Sequence, residues 1–154
     1  MRKSVVFLVL FVVAAVIPAH AQVSDQTILT YQVLTEDYDV LVKEAMALTD
    51  EQWKAFEPVF TEYKAAMHPV FETRIALIKE YVKKKGVLTE AEATAALDGI
   101  LGIERDEWLV LRDFKKDFLE VIPAVKVLRF WQIENRMMLM LEANLAKDIP
   151  MAQK

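Results

Sequence analysis

Apolar residues recur along this chain at helical spacing, and no stretch sustains alternation of apolar and polar positions. The clearest pattern lies between Thr49 and Lys85. There Trp53, Phe60, Met67 and Tyr81 recur at multiples of seven, and Phe56, Tyr63, Val70 and Leu77 do the same three residues out of phase. Together they form a seam of the kind that packs one long helix on another, with Arg74 its one charged interruption. A second stripe of Phe71, Ile75, Ile78 and Val82 flanks it, so the apolar surface is wider than one seam needs. Pro58 and Pro69 each remove a backbone donor, at about 3 kcal/mol in a helix interior. The seam keeps its phase across both, which predicts one long helix bent twice.

The ends of this segment are marked by local chemistry. Thr49 and Gln52 have the spacing of a capping box, in which the threonine hydroxyl accepts from the Gln52 N–H and the Gln52 side chain reaches back to the Thr49 N–H. Leu48 and Trp53 stand at the positions of a hydrophobic staple, and Asp50 and Glu51 complement the positive end of the helix dipole. At the far end Lys83, Lys84 and Lys85 suit the negative end, and Gly86 is a left-handed stop.

Three further helices follow from the same reasoning. One spans roughly Asp25 to Ala47, with a break expected near Thr35. Another runs from Thr89 to Val121, opened by a second capping-box pattern around Thr89 and Glu92. Its apolar face is Leu97, Ile100, Leu101, Trp108, Leu111, Phe114, Phe118 and Val121. Only a few residues around Gly86 join it to its predecessor, so the two should form an antiparallel hairpin. Pro123 suits the first turn of the last helix, which runs to about Lys147 and is apolar around most of its circumference. Such a helix is buried on more than one side, which predicts a homodimer or a client contact there. The tail from Ile149 to Lys154 is expected to fray. The fold class is therefore all-α: four helices around a long, bent antiparallel hairpin, elongated rather than a compact bundle.

The N-terminus reads differently. Arg2 and Lys3 precede an unbroken apolar run from Val5 to Ile17, then Pro18 and the small residues Ala19 and Ala21 around His20. This is the pattern of a cleavable signal peptide over residues 1–21, too short for a membrane span. A single helical domain then occupies residues 22–148, with no stable membrane insertion after cleavage. Cleavage removes two of 19 basic residues and none of 23 acidic ones, so the net charge moves from −4 to −6 and His68 becomes the only histidine. The acidic balance and the export signal disfavour nucleic-acid binding. The chain has no Cys, which excludes disulfides, thiolate metal sites and Cys nucleophiles, and fits a bacterial periplasm.

Chemistry of the enzymatic kind is not legible. Ser24 is the only serine after residue 21, no nucleophile–base pair stands out, and Glu104 and Glu107 are an ordinary surface pair. His68 and Glu72, one turn apart, are too few ligands for a metal site. The expectation is a non-enzyme without metal or cofactor.

Leu48, Thr49 and Gln52 also match an LTxxQ pattern, in a short, Cys-free helical chain behind a signal peptide. That combination resembles the Spy/CpxP family of periplasmic stress proteins. The family's second such motif would fall at Ile122–Lys126, where Pro123 replaces the threonine and Lys126 the glutamine. The resemblance implies a cradle-shaped antiparallel dimer of long bent hairpins, whose chaperone members hold unfolded clients on a concave face without ATP. On that footing Trp53, Phe56, Phe60 and Tyr63 are the expected client surface, steered by a basic hairpin end of Arg74, Lys79, Lys83 and Lys84. Met137, Met138 and Met140 would help such a surface adapt. The alternative in another class is a regulatory protein docking on a periplasmic signalling domain of an envelope-stress system; its metal-sensing form is disfavoured by the solitary His68. A Skp-type holdase is a weaker third reading, because those chains tend to be basic.

Overall fold

The computed structural model describes residues 38–153, and every described element of any length is a helix. Helix α1 is Tyr38–Met46, α2 Asp50–Lys83, α3 Glu90–Val121 and α4 Ala124–Asp148. The all-α, four-helix class read from the sequence is thus observed. The expected signal peptide and the stretch before Tyr38, including the break near Thr35, lie outside the described residues.

Helix α2 runs unbroken through both prolines for 34 residues, about 51 Å at the standard rise. Both capping boxes form. The Thr49 N–H donates to the Gln52 side chain at 3.1 Å and the Gln52 N–H to the Thr49 hydroxyl at 3.2 Å; Thr89 and Glu92 repeat the arrangement at the start of α3. The hairpin turn uses two left-handed residues, Lys85 (φ 52°) and Gly86 (φ 78°), where glycine alone was expected to serve. Helix α3 returns along α2, and their contact is the most extensive among the described helices.

Helix α4 turns back at Pro123, antiparallel to α3, and reaches the hairpin tip. Its base receives α1. Lys126 Nζ donates to the Ala47 carbonyl at 2.6 Å, and Arg129 Nε donates to the Ala45 carbonyl at 2.6 Å. Cations thus satisfy carbonyls that the end of α1 leaves without N–H partners. Lys126, which breaks the second LTxxQ-like match, has this capping role.

The core is an aromatic cluster where the three long helices meet. Phe130 of α4 inserts between α2 and α3, with ring centroids 5.4 Å from Phe56, 5.7 Å from Phe60, 5.5 Å from Tyr63 and 4.9 Å from Phe118. Three of these pairs are edge-on, an arrangement that sets a positive ring edge on a negative face. Val42 and Met46 of α1 close one side of the cluster.

The tail corrects an expectation. Rather than fraying, it folds against the hairpin tip: the Gln153 N–H donates to the Gly86 carbonyl at 2.7 Å, and the Tyr81 hydroxyl donates to the Pro150 carbonyl at 2.9 Å. Gly86 permits this approach, because a Cβ there would stand 2.5 Å from the Met151 carbonyl oxygen.

Two substitutions test the packing. Phe130→Ala should lower the unfolding free energy by about 3–5 kcal/mol in urea titrations, the usual result of emptying an aromatic site in a core. Gly86→Ala combines a left-handed backbone with a clash at the tail, and should cost at least about 1–2 kcal/mol and speed amide exchange at Gln153.

Candidate functional site

The α2 seam is the first place to look for a binding surface, and the structure places most of it inside. Phe56, Phe60 and Tyr63 are at most 1 % exposed. This corrects their assignment as a client surface: the a/d-like face is the one that meets α3 and α4, and Phe130 fills the space in front of it. Trp53 is half-buried at the edge, tilted on Phe56 with Lys43 Nζ 5.3 Å from its ring centroid. Leu48, Thr49 and Gln52 serve as staple and cap, so the LTxxQ residues act structurally here.

The basic hairpin end is also largely committed. Arg74 is an internal group whose guanidinium joins Glu107 of α3 at 2.7 Å and Glu142 of α4 at 3.7 Å. It ties the three long helices together and is not a steering charge, which corrects that assignment. Lys83 pairs with Glu80 at 2.6 Å, and Lys84 bonds Glu92. That bond, with the cap contacts at Thr89, holds the exposed Glu92 carboxyl down to about 2. Lys79 and Lys85 remain exposed cations at that end.

Free apolar surface lies elsewhere. On α3, Leu97, Leu101 and Trp108 are 60 %, 62 % and 56 % exposed. At 100° per residue they fall within about 40° of one another, so they form a single stripe. The Arg112 guanidinium lies over the Trp108 ring, 5.1 Å from its centroid. Ile100 and Leu119 are exposed on the same helix, and Val125, Leu128 and Leu139 follow one outer line of α4. The single apolar face expected on α3 divides into two phases. Ile103, Val110, Phe114, Phe118 and Val121 turn inward, whereas the Leu97–Trp108 stripe faces away from that seam. Its separate phase was the signal available.

A polar cluster lies among these apolar faces. Glu134 stands on the inward face of α4, between Phe130 and Leu141, and lines a cavity between α2 and α4. The Tyr38 hydroxyl donates to one of its oxygens and the Tyr63 hydroxyl to the other at 2.7 Å. Burial pushes the Glu134 carboxyl above its ordinary value and the nearby Glu107 charge adds to this, against the pull of the two hydroxyls. Burial, and then the Glu134 charge, push both tyrosines well above theirs. The signal here was a charged residue within an apolar stripe, as at Arg74.

Among the described residues no three His, Asp or Glu side chains converge as a metal site, and no helix is long and apolar enough to cross a membrane. His68 is exposed. Comparison with protein-family models, curated proteins and solved structures finds no match to this chain.

Glu134 has a defined linkage to pH. Its folded-state pKa is raised, so its contribution to stability is full below the ordinary value of 4.5 and is lost as pH rises through the raised value. Glu134→Gln, which keeps an acceptor for one tyrosine and removes the charge, should therefore gain stability relative to the parent chain at pH 8 and lose that advantage near pH 4. Urea midpoints at the two pH values provide the check.

Proposed function

We propose that this protein is a periplasmic, ATP-independent chaperone-like protein of the Spy/CpxP type, which holds exposed apolar segments of non-native chains on its helical surface. The observation that carries the reading is the exposed stripe of Leu97, Leu101 and Trp108 on α3. Scattered exposed leucines are normal on proteins, but a tryptophan and two leucines aligned on one helix face are the kind of exposed apolar surface that marks an interaction site. Further support comes from the long hairpin with its internal prolines and from the LTxxQ cap, the features on which the resemblance rests.

Binding on such a surface needs no chemistry from the chain. A client's apolar side chain covers the stripe and releases water from both surfaces, at roughly 25 cal/mol per Å2 of apolar area. Each contact is weak, so segments bind and leave, and charged neighbours such as Glu104, Arg105 and Arg112 keep the free surface solvated. The proposed client surface is thus α3 in place of the buried α2 seam. The outer line of Val125, Leu128 and Leu139 on α4 is where a second copy of the chain would pack to give the homodimer that the resemblance implies.

Purified protein beginning at Gln22, without ATP and at several-fold molar excess, should slow the aggregation of a chemically denatured reporter followed by light scattering. The triple variant Leu97→Ser, Leu101→Ser, Trp108→Ser should lose most of that protection while keeping its helical circular dichroism. Absence of protection by the parent chain, together with a change in one envelope-stress regulon on deletion, would favour the regulatory-partner reading.

A further inference from the structure

The seams of the three long helices each carry a charge on the inward side: Arg74 on α2, Glu107 on α3 and Glu134 on α4. Two of them cancel, since Arg74 and Glu107 meet at 2.7 Å. Glu134 has no cationic partner among the described residues. Its oxygens accept from two neutral hydroxyls, Tyr38 and Tyr63. Lys64, a cation that lines the same cavity, is held by both oxygens of Asp39 at 2.5 and 2.6 Å and lies over the Phe60 ring. A buried carboxylate without a counter-charge is costly, and chains keep such groups where a ligand or a reaction uses them.

Glu134 also faces space. It lines an open cavity of about 510 Å3 between α2 and α4, with Tyr38 of α1 also in its wall. That volume far exceeds the roughly 30 Å3 share of one water molecule. The walls are mainly apolar and soft, with Met67, Phe71, Met137 and Met138 among them. Ala65 and His68, both exposed, stand at the mouth. Pro69 has no N–H to give to the carbonyl of Ala65, itself a lining residue, so that carbonyl lacks its usual helical donor. One carboxylate and one carbonyl are too few and too far from a ligand cage for a metal ion. They suit an ammonium group, which needs acceptors for three N–H donors and gains from aromatic faces beside it.

We propose that this cavity binds a small apolar primary amine, with its ammonium group against Glu134 and its hydrocarbon body along Met67, Phe71 and Met138. The ammonium supplies the counter-charge that Glu134 lacks, while Tyr38 and Tyr63 hold the carboxylate in position through their hydroxyls. The site is separate from the α3 stripe, and its ligand binding does not depend on the chaperone-like reading.

The probe pair is 4-phenylbutylamine and the isosteric 4-phenylbutanol, titrated calorimetrically into the protein at pH 7.5 and low salt. The amine should bind about ten-fold more tightly or better than the alcohol, the difference that a charge-assisted hydrogen bond makes. Glu134→Gln should bring the amine down to the affinity of the alcohol and leave the alcohol unchanged. Met138→Trp, which fills the cavity and keeps Glu134 and both tyrosines, should abolish binding of both. Equal affinity of the two probes for the parent chain, failure of both to bind it, an amine affinity that Glu134→Gln leaves undiminished, or binding of either probe to Met138→Trp would overturn the proposal.

Discussion

Insertion of the Phe130 ring between α2 and α3 is the contact on which the rest of the structure depends. Two long helices joined by a tight turn bury only one side of each. The pair acquires an interior when α4 covers the groove, and Phe130 is the residue that reaches into it, touching Phe56, Phe60, Tyr63 and Phe118 at once. Packing of this kind fixes the rotation of α4 about its own axis. That rotation in turn brings Glu134 to the cavity, Glu142 toward Arg74, and Lys126 and Arg129 to the carbonyl end of α1.

The same contact decides which apolar residues remain for other purposes. With the aromatic seam of α2 enclosed, the surface left to another chain is the stripe on α3 and the outer line of α4. The ion pairs act in the same direction. Arg74 is drawn inside, and Lys83 and Lys84 are bound to neighbouring glutamates, so little of the basic hairpin end is left to steer a partner. On the proposed reading, the contact with another chain is therefore chiefly apolar, with Glu104, Arg105 and Arg112 as the charges beside it.

What could be read from the chain follows the range of the interactions. Caps, helix ends and the hairpin turn depend on residues within four positions of one another, and Thr49–Gln52 and Thr89–Glu92 both form as their spacing predicts. The continuous α2 was legible because its heptad phase crosses Pro58 and Pro69. The fate of the seam was not, because periodicity shows that a face is apolar without showing what covers it. Phe56 and Trp108 look alike in sequence, yet one is in the core and the other is more than half exposed. The docked tail was hidden for a related reason, since Pro150 and Gln153 find partners about seventy residues away at Tyr81 and Gly86. Glu134 was visible as a break in an apolar stripe, but the tyrosines that hold it come from two other helices.

The three tryptophans, Trp53, Trp108 and Trp131, allow the central claim to be tested at the level of single side chains. With 5-fluorotryptophan incorporated and each fluorine resonance assigned by substitution, an unfolded client protein is added and the spectrum followed. With clients held on the α3 stripe, the Trp108 resonance should shift or broaden in proportion to bound client while that of Trp53, at the edge of the α2 seam, stays in place. A spectrum in which Trp53 responds and Trp108 does not would return the binding face to α2 and contradict the assignment to α3.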